Sequence, residues 1–290
     1  MRSRDLPPAG HTADSRVSRL IADAPQDAPA GTVTLVGAGP GDPELLTLKA
    51  ARALAQARLA LYDHLVSPAV LDFLPAGAER IYVGKEASRH TLPQADIARL
   101  MVRLARAGHS LVRLKGGDGY IFGRGGEEVQ ALAEAGIAFE VIPGLTAAQG
   151  AAASTGIPLT HRDHAGALVL ATGHRRGDRQ LDMDWPMLAR PRQTVVLYMG
   201  VANLPEICSQ LLAHGLPAAT PAALIENATL PEERCVTGTL AQLPGLARQH
   251  QIRPPALIMI GEVVAARQRP KSSMPAAPDG SAATAGRLAE

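Results

Sequence analysis

The run TVTLVGAGPGDPELLTLKAARALAQARLALYD, residues 32–63, decides the fold. Residues 32–38 are a buried-looking apolar run of strand length that closes on Gly37-Ala38. Residues 43–57 then carry apolar side chains at helical spacing, and LALYD (59–63) returns to a short strand. Strand, helix and strand in this order predict a parallel pair joined by a covering helix. The pattern continues downstream. RIYVG (80–84), SLVRLKGGD (110–118) and FEVIPG (139–144) predict strands. PQADIARLMVRLARAG (93–108) and GEEVQALAEAG (126–136) predict helices, the first closed by Gly108 as a C-cap. A parallel sheet covered by helices follows.

After about Gly156 the rhythm changes. ALVLATGH (167–174), TVVLYMG (194–200), PAALIEN (221–227), RCVTGTL (234–240) and ALIMIGEVV (256–264) all read as strands, with fewer and shorter helices between them. The closely spaced strands at 221–240 predict an antiparallel pair. The expected architecture is a two-domain α/β fold, with a parallel-sheet N-terminal domain (31–154), a mixed-sheet C-terminal domain (155–267) and an interdomain cleft. A linker is expected near 154–164, a flexible arm over 1–30 and a disordered low-complexity tail over 268–290. Ligands in such folds sit in the cleft at the carboxyl ends of the strands.

Composition narrows the function. Twenty-nine basic residues nearly cancel 27 acidic ones, for a net charge of +2, and aromatics are 3%. Neither fits a nucleic-acid binder. No stretch of 18 apolar residues predicts a membrane span. The N-terminus lacks the apolar centre of a secretory signal. Its Arg and Ser residues suit a transit peptide, but Asp5, Asp14 and two prolines oppose that reading. Cys208 and Cys235 stand alone, without metal-site spacing, and a cytoplasmic location is expected.

The loop Val36-Gly37-Ala38-Gly39-Pro40-Gly41-Asp42-Pro43, with Asp63 at the end of the next strand, invites a dinucleotide reading. The spacing is G-x-G-x-G rather than G-x-G-x-x-G, however, and Pro40 and Pro43 each remove an amide that a pyrophosphate cradle needs. A plain strand-to-helix turn and a loop shaped for another ligand both remain open.

GAGPGDPELLTLKA, LYDHLVS (61–67), VGKEASRH (83–90), VRLKGGDGYIFGRGGEE (112–128), VIPGLTAA (141–148), GIPLTHRD (156–163), TGH (172–174), LYMG (197–200) and GEVV (261–264) form one ordered series. Together they resemble the uroporphyrinogen-III C-methyltransferases of the tetrapyrrole methylase family, over about residues 32–264. The resemblance implies a tetrapyrrole methylase-like fold and a homodimer. It also implies two successive methyl transfers from S-adenosylmethionine to C2 and C7 of uroporphyrinogen III, giving precorrin-2 for sirohaem or cobalamin biosynthesis. The chain departs from the family pattern at Gly119-Tyr120, Ser154-Thr155, Gly166-Ala167 and Ala228, which bears on substrate fit.

On this resemblance Asp63 is the candidate proton acceptor and Lys85 the candidate proton donor, with a structural Asp63–Lys85 ion pair as the alternative. Pro40, Gly116, Gly117, Asp118, Ile121, Thr146, Ala147, Met199, Ala223 and Ala228 are the candidate cofactor wall. Thr146 would look the same as a plain helix cap. The substrate carries eight carboxylates, and Arg89, His90, Arg113, Lys115, Arg124, His161 and Arg162 are the supply of positive charge to hold them. Glu127 and Glu128 read as residues that cap or solvate the first turn of their helix. His174 reads as a core or loop histidine. No metal ligand set is expected. Two competing functions stay open: an NAD(P)-dependent oxidoreductase, suggested by the first glycine loop, and a non-catalytic tetrapyrrole carrier.

Overall fold

The computed structural model describes residues 13–22, 29–84, 93–174 and 181–268. The first sheet contains β1 (Val33–Gly37), β2 (Leu59–Tyr62), β3 (Glu79–Tyr82), β4 (Leu111–Lys115) and β5 (Phe139–Ile142) in the order β3-β2-β4-β1-β5. Every pairing in it is parallel. β4 is buried along its whole length, as a central strand covered on both faces must be.

Alternation along the strands divides the core into two layers. Val33, Leu59, Leu61 and Leu111 pack with α4 (Gln94–Arg106) and α5 (Gly125–Glu134). Val36, Ala60, Val112 and Leu114 pack with α2 (Leu48–Gln56) and α3 (Pro68–Leu71). Local chemistry starts these helices. The Thr47 hydroxyl accepts from Ala50 N at 3.1 Å, and Pro68 enters α3 behind its cap Ser67. Gly108 follows α4 at φ +84°, the left-handed exit expected of it.

Residues 13–22 were expected to belong to a flexible arm. They form α1 (Ala13–Ala22), whose Val17 is buried against α4-side residues. Arg19 pairs with Glu79 at 3.1 Å, and the Leu20 carbonyl lies 2.8 Å from His109 Nε2. Val17, Leu20 and Ile21, at helical spacing, form its apolar face.

The second sheet contains β6 (Ala167–Thr172), β7 (Gln193–Tyr198), β8 (Pro221–Glu226), β9 (Arg234–Thr239) and β10 (Ala256–Ile260), ordered β6-β7-β10-β8-β9. β6 and β7 are parallel and the other pairings antiparallel, including the expected β8–β9 pair. One face packs on α7 (Trp185–Leu188), α8 (Leu204–Ala213) and α9 (Leu243–Gln249). The strand expected over 256–264 stops at Ile260. Gly261 turns at φ +140° and Glu262–Val264 form a short 3-10 turn whose valines enter the core. The other face packs on α6 (Ala147–Thr155), whose Ala148 and Ala151 meet Val196, Ala223 and Met259. The helix that follows the last strand of the first sheet thus completes the core of the second. Among the described residues no helix is long and apolar enough to cross a membrane.

Candidate active site

All five parallel strands of the first sheet point their carboxyl ends at one edge. Three glycines cross there. A Cβ on Gly37 would strike Gly144 N, and one on Gly144 would strike the Gly117 carbonyl oxygen. Gly117 itself sits at φ +68°, where other residues are strained. Gly39 and Gly117 exchange backbone hydrogen bonds of 3.1 and 2.7 Å. The glycines are therefore fixed first by the close crossing of β1, β4 and β5. Gly116 is crowded too, since a Cβ there would meet Leu65 Cβ at 2.5 Å.

The same crossing explains the first glycine loop. Ala38 N donates to the Lys115 carbonyl (2.8 Å), Gly39 N to Gly117 and Asp42 N to Thr229 Oγ1 (3.1 Å). With two prolines also in the loop, few amides remain for a phosphate. Its physical task is to join the halves: Pro40 lies against Gly150 of α6, and Gly41 against Leu230.

Beside this edge lies a cleft of about 420 Å³, lined by Asp118, Ile121, Gly144, Thr146, Ala148, Gln149, Leu159, Leu168 and Leu170. Asp118, Ile121 and Thr146 of the expected cofactor wall are among them. The Asp118 carboxylate is oriented by Gly144 N (3.1 Å) and Tyr120 N (2.8 Å). Thr146 precedes α6, and its hydroxyl bonds the Tyr198 hydroxyl at 2.7 Å. Tyr198 also accepts from Ala148 N at 3.0 Å and packs on Phe122 with ring centroids 5.0 Å apart. Burial raises the Tyr198 phenol above its ordinary range. Met199 follows it at φ +55° and half exposed, a backbone strain typical of ligand-facing positions. Ala147 and Ala228 are half-buried near the same core.

Several expected site residues behave differently. Ala223 has no exposed surface. It sits mid-β8 under α6, so its side chain builds the floor of the core and not an open wall. Arg113 and Lys115 were expected to grip substrate carboxylates. They occupy the α4–α5 face of β4 beside Leu111 and are buried, because alternation turns both the same way. Their partner is Glu128, expected to cap a helix but fully buried on α5. Glu128 Oε1 accepts from Arg113 Nε and Lys115 Nζ, each at 3.2 Å, and from Gln94 Nε2 at 2.7 Å. Arg113 Nη2 donates to Asp63 Oδ2 at 3.2 Å, so Asp63 pairs with Arg113. Burial, reinforced by neighbouring Arg113, lowers the pKa of Lys115.

Arg124 is held at the surface by a two-point pair with Glu127, at 2.8 and 2.6 Å. His161 stacks on His164 with centroids 4.6 Å apart, and Arg162 is exposed beside it. Lys85, Arg89 and His90 lie outside the described residues. Gly119 is buried with its carbonyl bonded by Gly125 N at 2.9 Å, a closure that holds this loop. Tyr198, Gly144, Gln149 and the leucines at 159, 168 and 170 were not singled out from the sequence. Only Tyr198, at a strand end beside Met199, carried a usable signal there.

A parallel sheet whose glycine-crossed edge faces a cleft against a second, mixed sheet defines an α/β protein built to hold a small ligand between its halves. The family described as Tetrapyrrole (Corrin/Porphyrin) Methylases matches residues 32–244. The chain belongs to this family. It is 51% identical over 257 residues to a siroheme synthase of Nitrosomonas europaea, covering 89% of this chain and 54% of the relative. A siroheme synthase of Nitrosospira multiformis is 56% identical over 234 residues, 81% of this chain and 49% of the relative. The chain thus spans about half the length of the curated relatives it matches. Among solved structures, uroporphyrin-III C-methyl transferase from Thermus thermophilus complexed with S-adenyl homocysteine is 43% identical, with a TM-score of 0.71 over 81% of this chain and 100% of that one. A cobalt precorrin-4 methyltransferase is 27% identical, with a TM-score of 0.71 over 80% of this chain and 95% of that one.

Proposed function

We propose that the chain methylates uroporphyrinogen III on carbon, at C2 and C7, with S-adenosylmethionine as donor, giving precorrin-2 for sirohaem or cobalamin synthesis. The observation that carries this reading is the likeness to the Thermus methyl transferase along its full length. The cleft fits the donor. Its volume lies in the small-ligand range, its leucines suit an adenosyl group, and the Asp118 carboxylate suits a cationic one. In this reading Pro40, Gly116, Gly117, Asp118, Ile121, Thr146, Ala147, Met199 and Ala228 surround the donor. His161, Arg162 and Arg124 face the substrate side; by the family resemblance alone, Arg89 and His90 are assigned to the substrate carboxylates and Lys85 to proton donation.

The donor supplies a methyl already activated for displacement, so the protein's task is placement. The ring carbon gives its electron pair to the methyl carbon while the carbon–sulfur bond breaks toward sulfur. A proton then leaves the macrocycle. Gly144 N and Tyr120 N fix the Asp118 carboxylate, and the tight glycine crossing keeps that seat rigid. Asp63, held by Arg113 and by Leu65 N at 3.1 Å, is the base that receives the proton. The engaged amides of the first glycine loop weigh against the NAD reading. We also propose a cytoplasmic homodimer, and because α6 packs in the second core we place the division of the halves ahead of α6 rather than near 154–164.

The test is anaerobic incubation of the chain with S-adenosylmethionine and uroporphyrinogen III, followed by mass spectrometry. A gain of two methyl groups is expected. An unmodified macrocycle from protein that binds S-adenosylhomocysteine favours the carrier, and binding of NAD alone favours the oxidoreductase.

A further inference from the structure

We propose that Glu128 is a positioning residue for methyl transfer: it orients Arg113, and Arg113 in turn holds the Asp63 carboxylate at the end of β2. The inference rests on the function proposed above, in which Asp63 receives the proton.

The geometry is a chain of contacts with one outlet. Side-chain exposure is 0% for Glu128, 2% for Arg113, 5% for Lys115 and 19% for Asp63. Of these four charged groups Asp63 alone has appreciable access to the carboxyl edge of the sheet. The Arg113 guanidinium is pinned at three corners: Nε on Glu128 (3.2 Å), Nη1 on the Leu114 carbonyl (2.7 Å) and Nη2 on Asp63 (3.2 Å). A planar fork held this way fixes the direction of its last hydrogen bond. Glu128 Oε1 collects the Gln94, Arg113 and Lys115 donors, while its Oε2 is buried without a partner among the described residues. An unpaired buried carboxylate oxygen is costly, and an apolar replacement of such a cluster is often as stable or more so. A cluster kept for packing alone has no reason to carry that cost. One kept to aim a carboxylate does.

The test uses the full chain with Glu128→Gln, Asp63→Asn and the double variant. Steady-state methylation gives kcat and KM separately, calorimetry gives S-adenosylhomocysteine affinity, and melting reports folding. Glu128→Gln is expected to lower kcat about 10- to 100-fold, the scale of a misplaced reacting group. Donor affinity should stay within about twofold, since Glu128 is absent from the cleft lining. In the Asp63→Asn background the further loss should be under about twofold, because the effect passes through Asp63. Multiplying losses, or full kcat in Glu128→Gln, overturn the proposal. If Glu128→Gln does not fold, Arg113→Lys, which keeps the charge but loses the fork, must show the same non-additivity. A crystal structure of the Glu128 variant decides separately from activity: an Arg113–Asp63 contact kept at its present distance also overturns the proposal. Wild-type protein that does not methylate uroporphyrinogen III sinks the function reading instead, and that crystal structure then decides the positioning claim.

Discussion

Gly37 and Gly144 let the strand ends approach closer than any side chain permits, and Gly117 beside them turns at φ +68°. Gly144→Ala is expected to cost about 1–3 kcal/mol by overpacking and to lower donor affinity, because Gly144 N also orients Asp118; denaturant melts and calorimetry check both. Thr194 shows the opposite case. Its hydroxyl is buried without a partner among the described residues, so Thr194→Val is expected to hold stability within about 1 kcal/mol of wild type or to raise it. Tyr198 gives a pH dependence. Burial raises its folded pKa above the ordinary 10.0. Unfolded chains therefore ionise first as pH rises, and the stability tied to this proton is lost as pH climbs from 10.0 through the folded value. The wild type should lose more stability over that window than Tyr198→Phe, as paired melts at rising pH will report.

Helices here act by which layer they close. α1 covers the α4 side of the first core through Val17. Val17→Asp is expected to cost about 2 kcal/mol or more, from lost apolar burial and a buried charge. Donor affinity should be unchanged, because α1 does not reach the cleft. Thermal melting and calorimetry separate the two effects. α6 has the larger task. Its first turn lines the cleft through Ala148 and Gln149, and its other face packs on the second sheet. A small-residue helix (AAQGAAAST) suits that place, since Gly150 must let Pro40 approach.

Across the whole molecule, the halves meet through the 37–43 loop, Thr229, Leu230 and α6. A ligand seated between them stabilises the assembled state by mass action. S-adenosylhomocysteine at one hundred times its dissociation constant should add about 2.7 kcal/mol, seen as a higher melting temperature, while NAD should add none. A melting temperature raised by NAD and unmoved by S-adenosylhomocysteine would contradict the cleft assignment.

Sequence by itself determined the strand and helix order, the parallel first sheet, the β8–β9 pair and the seats of Asp118, Ile121 and Thr146 beside the cleft. The elements follow from periodicity and turn spacing, which are local properties of the chain, whereas Asp118, Ile121 and Thr146 were singled out by the resemblance to the methylase family. Tertiary structure alone decided that Arg113 and Lys115 turn inward onto Glu128, that Ala223 lies under α6, and that α6 serves the second core. Each depends on what packs over a given face, and those partners are distant in sequence: Asp63 and Arg113 stand 50 residues apart, Asp42 and Thr229 stand 187. A charged side chain at a strand end looks the same in sequence whether solvent or a helix lies above it. Only the packed layers fix which one does.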